Sequence, residues 1–596
     1  MKKNLYKGEM KKHLIAIFIL FIFAFITLVI RVVYINIRDH QDYKTSVLSQ
    51  HVGTLTKTDA IPAKRGSIAD RNGTILAESV KVYNIIYDPG VLNKNKQEMI
   101  DETNLFLSSS LPNITIAQLN TLLDEKKDSH YEIIARELDY NQVKALDARI
   151  KDKSIRGVFL EAHYKRIYPY NTMASDIIGF FSSSSGGSYG IEEYYQNDLS
   201  GTDGRLFGAL DEGSIINQEE VPAQHGNQII LTIDFGIQKY VEESILKYYD
   251  KHDAKSVNVI VMNPKNGEVL AMASYPNYNL NDPYDLTDIV DEQELSIMTE
   301  EKKYEERYQL WRNFLVSDTY EPGSTYKPFI IAAALEEEKI SLNNTYECTG
   351  GKQVYGHYIR CWKAGGHGVQ TVSEALANSC NVALMEIGDT IGKDIYFSYQ
   401  QMFGFGAKTN IDALAEGKGV YNTYDQIGPV ELATGSFGQG FNVTPLQLTA
   451  AFSSLLNGGY LYEPYLTKRI VDGDGKTVMY NKPQLVRQTI SEDTSKKIIQ
   501  ALEMVVDDGT GHKASIEGYR IGGKTGTAEK GNRLDDLYIV SFIGFAPVDN
   551  PQLITLVIID EPDVVNPDSG LASEIFTDIM TKVLPYKTIF NELEIE

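Results

Sequence analysis

Apolar and polar positions divide the chain into stretches of different rhythm. Residues 14–30 are apolar apart from Thr27, and beyond Arg31 the run resumes as Val32-Val33-Tyr34-Ile35. That approaches the roughly 20 residues a membrane-spanning helix needs. Lys2, Lys3, Lys7, Lys11 and Lys12 precede it. Lysines on that side predict a cytoplasmic tail over 1–13, a single transmembrane helix over 14–35 and an extracytoplasmic body anchored in the cytoplasmic membrane. A cleavable signal peptide ranks lower, because no small-x-small cleavage site follows and the run exceeds a signal core. Residues 36–60 are polar and read as a stalk fading into an extended link. Alternation on either side of Asn72-Gly73, in Ser67-Ile68-Ala69 and Thr74-Ile75-Leu76, predicts a hairpin with a two-residue turn. Between 95 and 160, amphipathic helices at 116–125 and 141–149 alternate with short strands. The rhythm changes near His225-Gly226-Asn227. A strand over 228–233 and a helix over 234–249 are followed by runs at 257–263 and 268–274, which read as a hairpin at the centre of a sheet. Residues 284–310 form a charged helical stretch, taken as a cover over a site's entrance. Residues 538–546 and 553–559 read as the last strands, and 572–584 as a closing helix.

Composition narrows the classes. A chain of 596 residues, 43% hydrophobic and 23% charged, holds two or three globular units. Its formal charge of −23 argues against nucleic acid, whose phosphates need a basic surface. Three cysteines are too few for a disulfide scaffold.

The candidate chemistry begins at Glu321-Pro322-Gly323-Ser324-Thr325-Tyr326-Lys327-Pro328. Pro322-Gly323 signals a turn, Ser324 is a good N-cap, and the apolar stretch 329–335 predicts a buried helix. Pro328 is tolerated in its first turn. Ser324 and Lys327, three apart, then share a face: a hydroxyl beside an amine. A lone Ser-x-x-Lys is more often an ordinary helix start. Here Ser379-Cys380-Asn381 and Lys524-Thr525-Gly526 follow in order, and Ser-x-x-Lys, Ser-x-Asn and Lys-Thr-Gly together are the set of penicillin-binding proteins and serine β-lactamases.

Further matches extend the likeness. Residues 64–73, with Arg65-Gly66-Ser67-Ile68-Ala69-Asp70-Arg71-Asn72-Gly73, residues 166–170 and residues 189–205 are similar to the signatures of the class B pedestal. Gly435-Ser436-Phe437-Gly438-Gln439-Gly440 and Asn457-Gly458-Gly459 are similar to stretches of the catalytic domain. The chain therefore resembles a class B penicillin-binding protein over nearly its whole length. The resemblance implies an α+β fold with a pedestal (dimerisation-type) domain over 36–225. It also implies a transpeptidase domain over 226–596, an antiparallel sheet flanked by helices with an all-helical subdomain. Glu192 and Glu193, which suggest acid–base chemistry at first sight, are better read as a helix face or an internal ion pair holding the pedestal. One departure is local: 410–417 lacks the family's usual proline.

A serine hydroxyl needs an adjacent base, and Lys327 serves only when burial and a second cation keep its amine neutral. The resemblance implies that Lys524 supplies that cation and that Ser379, placed between them, passes a proton toward the leaving nitrogen. Asn381 grips substrate backbone, and Gly526 lets an extended peptide approach the strand of Lys524. The N–H groups of Ser324 and Thr527 form the oxyanion hole, and Thr525 with Lys524 suits a terminal carboxylate. The implied reaction is D,D-transpeptidation of peptidoglycan stem peptides through an acyl-enzyme on Ser324, with β-lactams acylating the same serine. The expected partner is a glycan polymerase of the SEDS family. A β-lactam sensor or a non-catalytic scaffold on the same fold is the alternative, weakened by three intact triplets and a single span; a carboxypeptidase is a chemically close variant. No cofactor is expected for catalysis. Cys348, Cys361 and His367 suit tetrahedral zinc, with His357 or an acidic residue as fourth ligand. A Cys348–Cys361 disulfide or two packed thiols are the other readings. Cys380 reads as a packing residue.

Overall fold

A computed structural model describes residues 56–211, 214–530, 537–564 and 570–589, with residues 18, 20, 22–29 and 31 from the N-terminal segment. Those N-terminal residues are helical and exposed, and the rest of the expected transmembrane helix lies outside the described residues. Among the described residues no helix is long and apolar enough to cross a membrane.

The chain divides into two compact units, 1–64 with 201–225, and 65–200 with 226–596. The first is a three-stranded antiparallel sheet in which Gly204–Asp211 lies between Thr56–Ile61 and Ser214–Val221. The second unit carries the chemistry. Its first sheet joins residues from both sides of position 226, because Gln228–Leu231 pairs in parallel with Ile68–Ala69 while its other edge takes Thr467–Val471.

The hairpin at Asn72-Gly73 forms, with Ile68 opposite Ala77. Its connection is longer than two residues. Asp70 accepts from Asn72 N at 2.9 Å and Thr74 N at 2.7 Å, and Asp70 N donates to Thr74 O, so a short carboxylate closes a five-residue loop. Behind it a buried cluster ties three pedestal segments. Glu192, 0% exposed, accepts from Arg65 Nε at 2.7 Å, Arg166 Nε at 2.7 Å and the Tyr168 hydroxyl at 3.0 Å. It is the internal ion pair.

The catalytic sheet runs in the order Val269–Tyr275, Ser256–Met262, Leu553–Asp560, Tyr538–Ala546, Gly522–Glu529, all neighbours antiparallel. The hairpin expected at its centre is at one edge, and Leu553–Asp560 holds the middle. The strands read as central because both faces are covered. Val257, Val259 and Val261 pack with Ile237, Val241, Phe576 and Ile579 of the flanking helices Phe235–His252 and Gly570–Tyr586, whereas Ile260 and Met262 face the helical core on the other side. Burial on two faces gives a continuous apolar run whatever the strand's rank in the sheet.

The stretch 284–310 does not cover the catalytic pocket, none of whose lining residues comes from it. It continues into Trp311, whose ring packs on Phe180 at 5.2 Å and Tyr189 at 5.4 Å while its N–H donates to Pro283 O. A large aromatic anchor decides where a charged helix with little apolar face comes to rest. Segment 410–417 is well tied despite its missing proline: buried Asp412 accepts from Leu466 N, Thr467 N and the Tyr195 hydroxyl.

Candidate active site

Ser324 does not cap a helix. It lies in a 3-10 turn, Gly323–Tyr326, that runs into the α-helix Lys327–Glu336 with Pro328 in its first turn. At three residues per turn, positions i and i+3 eclipse, so the tighter turn stacks Ser324 over Lys327 more directly than an α-helix does. The helix is buried from Lys327 to Leu335, and Phe329 is fixed against Phe403 at 4.9 Å and Phe405 at 5.1 Å. An all-round apolar helix in a packed core cannot slide, which holds the turn ahead of it.

The second triplet is positioned by backbone strain. The helix Val372–Ala377 ends at Asn378, and Ser379 takes φ +52°, a left-handed conformation uncommon outside glycine. Cys380 then caps the next helix, which starts at Asn381. This kink turns Ser379 inward. Its hydroxyl accepts from Lys327 Nζ at 3.0 Å and from Lys524 Nζ at 3.0 Å. Lys327 also donates to Ser379 O at 2.6 Å and to Asn381 Oδ1 at 2.8 Å. Lys524 donates to Thr525 O and Oγ1.

Both amines are fully buried and face only neutral oxygens in these bonds. Burial pulls Lys327 down to about 7 from its ordinary ammonium value, and it pulls Lys524 down strongly, helped by the neighbouring positive charge of Lys327. An amine that loses its proton near neutrality is a base poised for work.

The third triplet lies on the Gly522–Glu529 strand, at the free edge of the sheet. Gly526 has a packing reason besides the one the sequence suggests. A Cβ there would meet Ser541 Oγ at 2.5 Å and Thr325 Cγ2 at 2.9 Å, so the glycine admits the turn that carries Ser324. Gly323, at φ +53°, likewise has room for no Cβ against Thr527 O. The two close approaches press the turn against the strand and bring Ser324 beside Thr527. Thr525 shares a hydrogen bond with Thr510 at 2.8 Å.

Ser324, Ser379, Asn381, Thr525, Gly526 and Thr527 line one pocket of about 670 Å³, with the two lysines buried beneath it. The sequence reading missed other lining residues, among them Trp362, Lys363, Thr510 and Tyr538. They come from loops and strand ends with no motif of their own.

Beside the pocket stands a second cluster. Cys348, Cys361, Cys380 and His367 bring their ligand atoms within 4.8 Å of one another, Cys361 Sγ lying 3.6 Å from His367 Nδ1. The three thiols are free and buried. The fourth member is thus Cys380, which the sequence left as packing, and not His357, which is exposed on the strand His357–Arg360. The signal was its place: a cysteine between two catalytic positions, carried inward by the same kink as Ser379. Zinc–sulfur bonds of about 2.3 Å in a tetrahedron require ligand separations near 3.8 Å, which this set accommodates.

Residues 257–581 match the penicillin binding protein transpeptidase domain, and residues 60–231 the penicillin-binding protein dimerisation domain. The chain belongs to the class B penicillin-binding proteins. It is 35% identical over 577 residues to stage V sporulation protein D of Bacillus subtilis, covering 93% of this chain and 84% of that one. It is 30% identical over 524 residues to the probable peptidoglycan D,D-transpeptidase PenA of Neisseria gonorrhoeae, covering 85% and 82%. The crystal structure of penicillin binding protein 2X from Streptococcus thermophilus shares the fold with a TM-score of 0.76 at 23% identity, over 89% of this chain and 81% of that one.

Proposed function

We propose that this chain is a peptidoglycan D,D-transpeptidase that acylates Ser324 with a stem peptide ending in D-Ala-D-Ala. The observation that carries the reading is the Ser379 hydroxyl held 3.0 Å from each of two buried lysines at the foot of the Ser324 pocket. Ser324 Oγ attacks the penultimate D-Ala carbonyl and gives its proton to the neutral Lys327 amine. The oxygen that becomes negative accepts from the N–H groups of Ser324 and Thr527, a contribution of about 3 kcal/mol for one such donor. The bond to the terminal D-Ala breaks as its nitrogen takes a proton relayed through Ser379. An amine of a neighbouring stem then attacks the ester carbonyl, its N–H proton passing to Lys327 and from there to the departing Ser324 Oγ, so that the cross-link forms, the ester bond breaks and the hydroxyl is restored. A β-lactam enters the same path and stops at the acyl-enzyme. Ser324→Ala abolishes covalent labelling by fluorescent penicillin; labelling that persists overturns the assignment.

The cysteine–histidine set supports a structural zinc held by Cys348, Cys361, Cys380 and His367. When bound, zinc would supply a fixed cross-link and no acid–base step. The chain's part is to carry Cys380 between Ser379 and Asn381, so that the ligands and the catalytic kink share a backbone. One equivalent of zinc in purified protein, with no thiol reacting until it is chelated, is the expected result; a metal-free protein with a Cys348–Cys361 disulfide overturns it.

The apolar run at 14–35 and its flanking lysines support a single-pass anchor that leaves the catalytic unit outside the cytoplasmic membrane. The class B resemblance supports a SEDS-family glycan polymerase in the membrane as its partner. Failure of any such polymerase to co-purify with the full chain or be stimulated by it counts against that partnership.

A further inference from the structure

Two lining residues of the catalytic pocket take no part in the chemistry above. Trp362 and Lys363 stand together in the loop between Cys361 and His367. That loop is held on several sides. Cys361 N donates to Gly350 O, Gly366 N to Lys363 O, and the Trp362 indole N–H to Asn378 O at 3.1 Å, with the ring set edge-on to His367 at 5.3 Å. Yet 60% of Trp362 is exposed, whereas Trp311, the other of the chain's two tryptophans, is buried. A large aromatic fixed in place and facing an enzyme pocket marks a surface that something covers. Lys363 is exposed and has no carboxylate partner among the described residues. The same pocket is also lined by the carboxylates of Asp508 and Glu529, so an anionic group of a ligand is drawn locally, to the Lys363 ammonium, rather than to the pocket as a whole.

Ser324 and the Thr525–Thr527 segment account for the terminal D-Ala pair. The pocket of about 670 Å³ is larger than a dialanine end fills, so the peptide before it passes the same walls. We propose that Trp362 and Lys363 form a wall that selects the donor peptide upstream of its D-Ala pair. The indole covers the peptide's aliphatic and backbone surface, and the Lys363 ammonium pairs with a carboxylate carried there. The proposal rests on the transpeptidase reading and adds a specificity determinant to it. Anchoring the wall on the same loop as Cys361 and His367 explains how an exposed indole keeps one orientation: the buried Cys361 directly precedes it, and its ring lies against the half-buried His367.

The test uses the full chain as purified and three acyl-D-Ala thioester donors: a truncated one, a longer one with a free upstream carboxylate, and the longer one amidated. Acylation of Ser324 is followed as kcat and KM. The wild-type chain is expected to prefer the free carboxylate over the amide by about fivefold, a preference that shrinks at 1 M salt. Lys363→Glu inverts the preference and Lys363→Gln removes it. Trp362→Ala raises KM for the longer donors by about tenfold, erasing their advantage over the truncated one, and Trp362→Phe restores most of it. A preference that survives Lys363→Glu overturns the proposal, and so does a parallel fall for all three donors in Trp362→Ala, which is what a purely structural residue gives. If no donor acylates the wild-type chain, the transpeptidase reading falls, and the wall with it.

Discussion

Two regions of this molecule each bury a pair of basic side chains around a single acceptor, and they resolve the problem in opposite ways. In the pedestal, Arg65 and Arg166 share the carboxylate of Glu192, which is 0% exposed. In the catalytic unit, Lys327 and Lys524 share the hydroxyl of Ser379, with no carboxylate among their hydrogen-bond partners. Burial pulls Arg65 down from its ordinary value while Glu192 opposes it, yet a guanidinium starts so high that it keeps its proton. A lysine can give its proton up. Neutralising two buried charges with a carboxylate makes a strut, and leaving two lysines with only neutral oxygens makes a base. The choice of cation and the presence or absence of one carboxylate separate structure from chemistry.

That contrast breaks most sharply if the cation type is exchanged. Lys327→Arg puts a group that cannot act as a base where no carboxylate balances it, so the acylation rate falls toward the upper end of the general-base range, ~10⁴-fold. Stopped-flow acylation by a chromogenic β-lactam measures it, and a loss under tenfold would show that proton removal from Ser324 does not depend on this amine. The complementary exchange is Glu192→Gln, which leaves two guanidinium groups buried without their anion and costs about 3–5 kcal/mol. Denaturant unfolding of the purified protein reads that loss; a variant as stable as its parent would mean the cluster is not held by charge.

The legible part of this fold is the part set by local chemistry. The three triplets and the Asn72-Gly73 hairpin follow from residue types at short range. What could not be read depends on contacts distant in sequence. The hairpin of 257–274 reads as central because helices cover both faces, and strand rank follows from pairing with residues near 555. The charged stretch 284–310 carries no sign of its destination, which the Trp311 ring determines against Phe180. Gly526 reads as an opening for substrate, and its missing Cβ also makes room for Thr325, two hundred positions earlier. Cys380 joins the thiol cluster only because Ser379 takes a left-handed backbone that no propensity foretells.

The smallest expected effect is a slope, and its sign separates the two kinds of buried charge. With its pKa pulled down to about 7, Lys327 is neutral in the folded chain above that pH, while the unfolded chain holds the proton up to its ordinary value of 10.5. Between those limits the unfolded state binds more protons, so stability rises with pH by about 1.4 kcal/mol per unit for this one group. Buried carboxylates act the other way. Asp176 and Glu242, both pushed up to about 7 by burial, hold protons in the folded chain that the unfolded chain loses from about pH 4 upward, so their contribution is full in acid and is lost as pH rises to 7. Lys327→Met removes the first effect and leaves the second. The urea midpoints of variant and parent are therefore expected to run parallel below pH 7 and to diverge above it, the parent gaining with each unit. Arg65 adds nothing to either limb, because a guanidinium keeps its proton throughout this range. Curves that stay parallel through pH 9 would mean that Lys327 keeps its proton in the folded chain, and that its burial is balanced as firmly as that of the arginines.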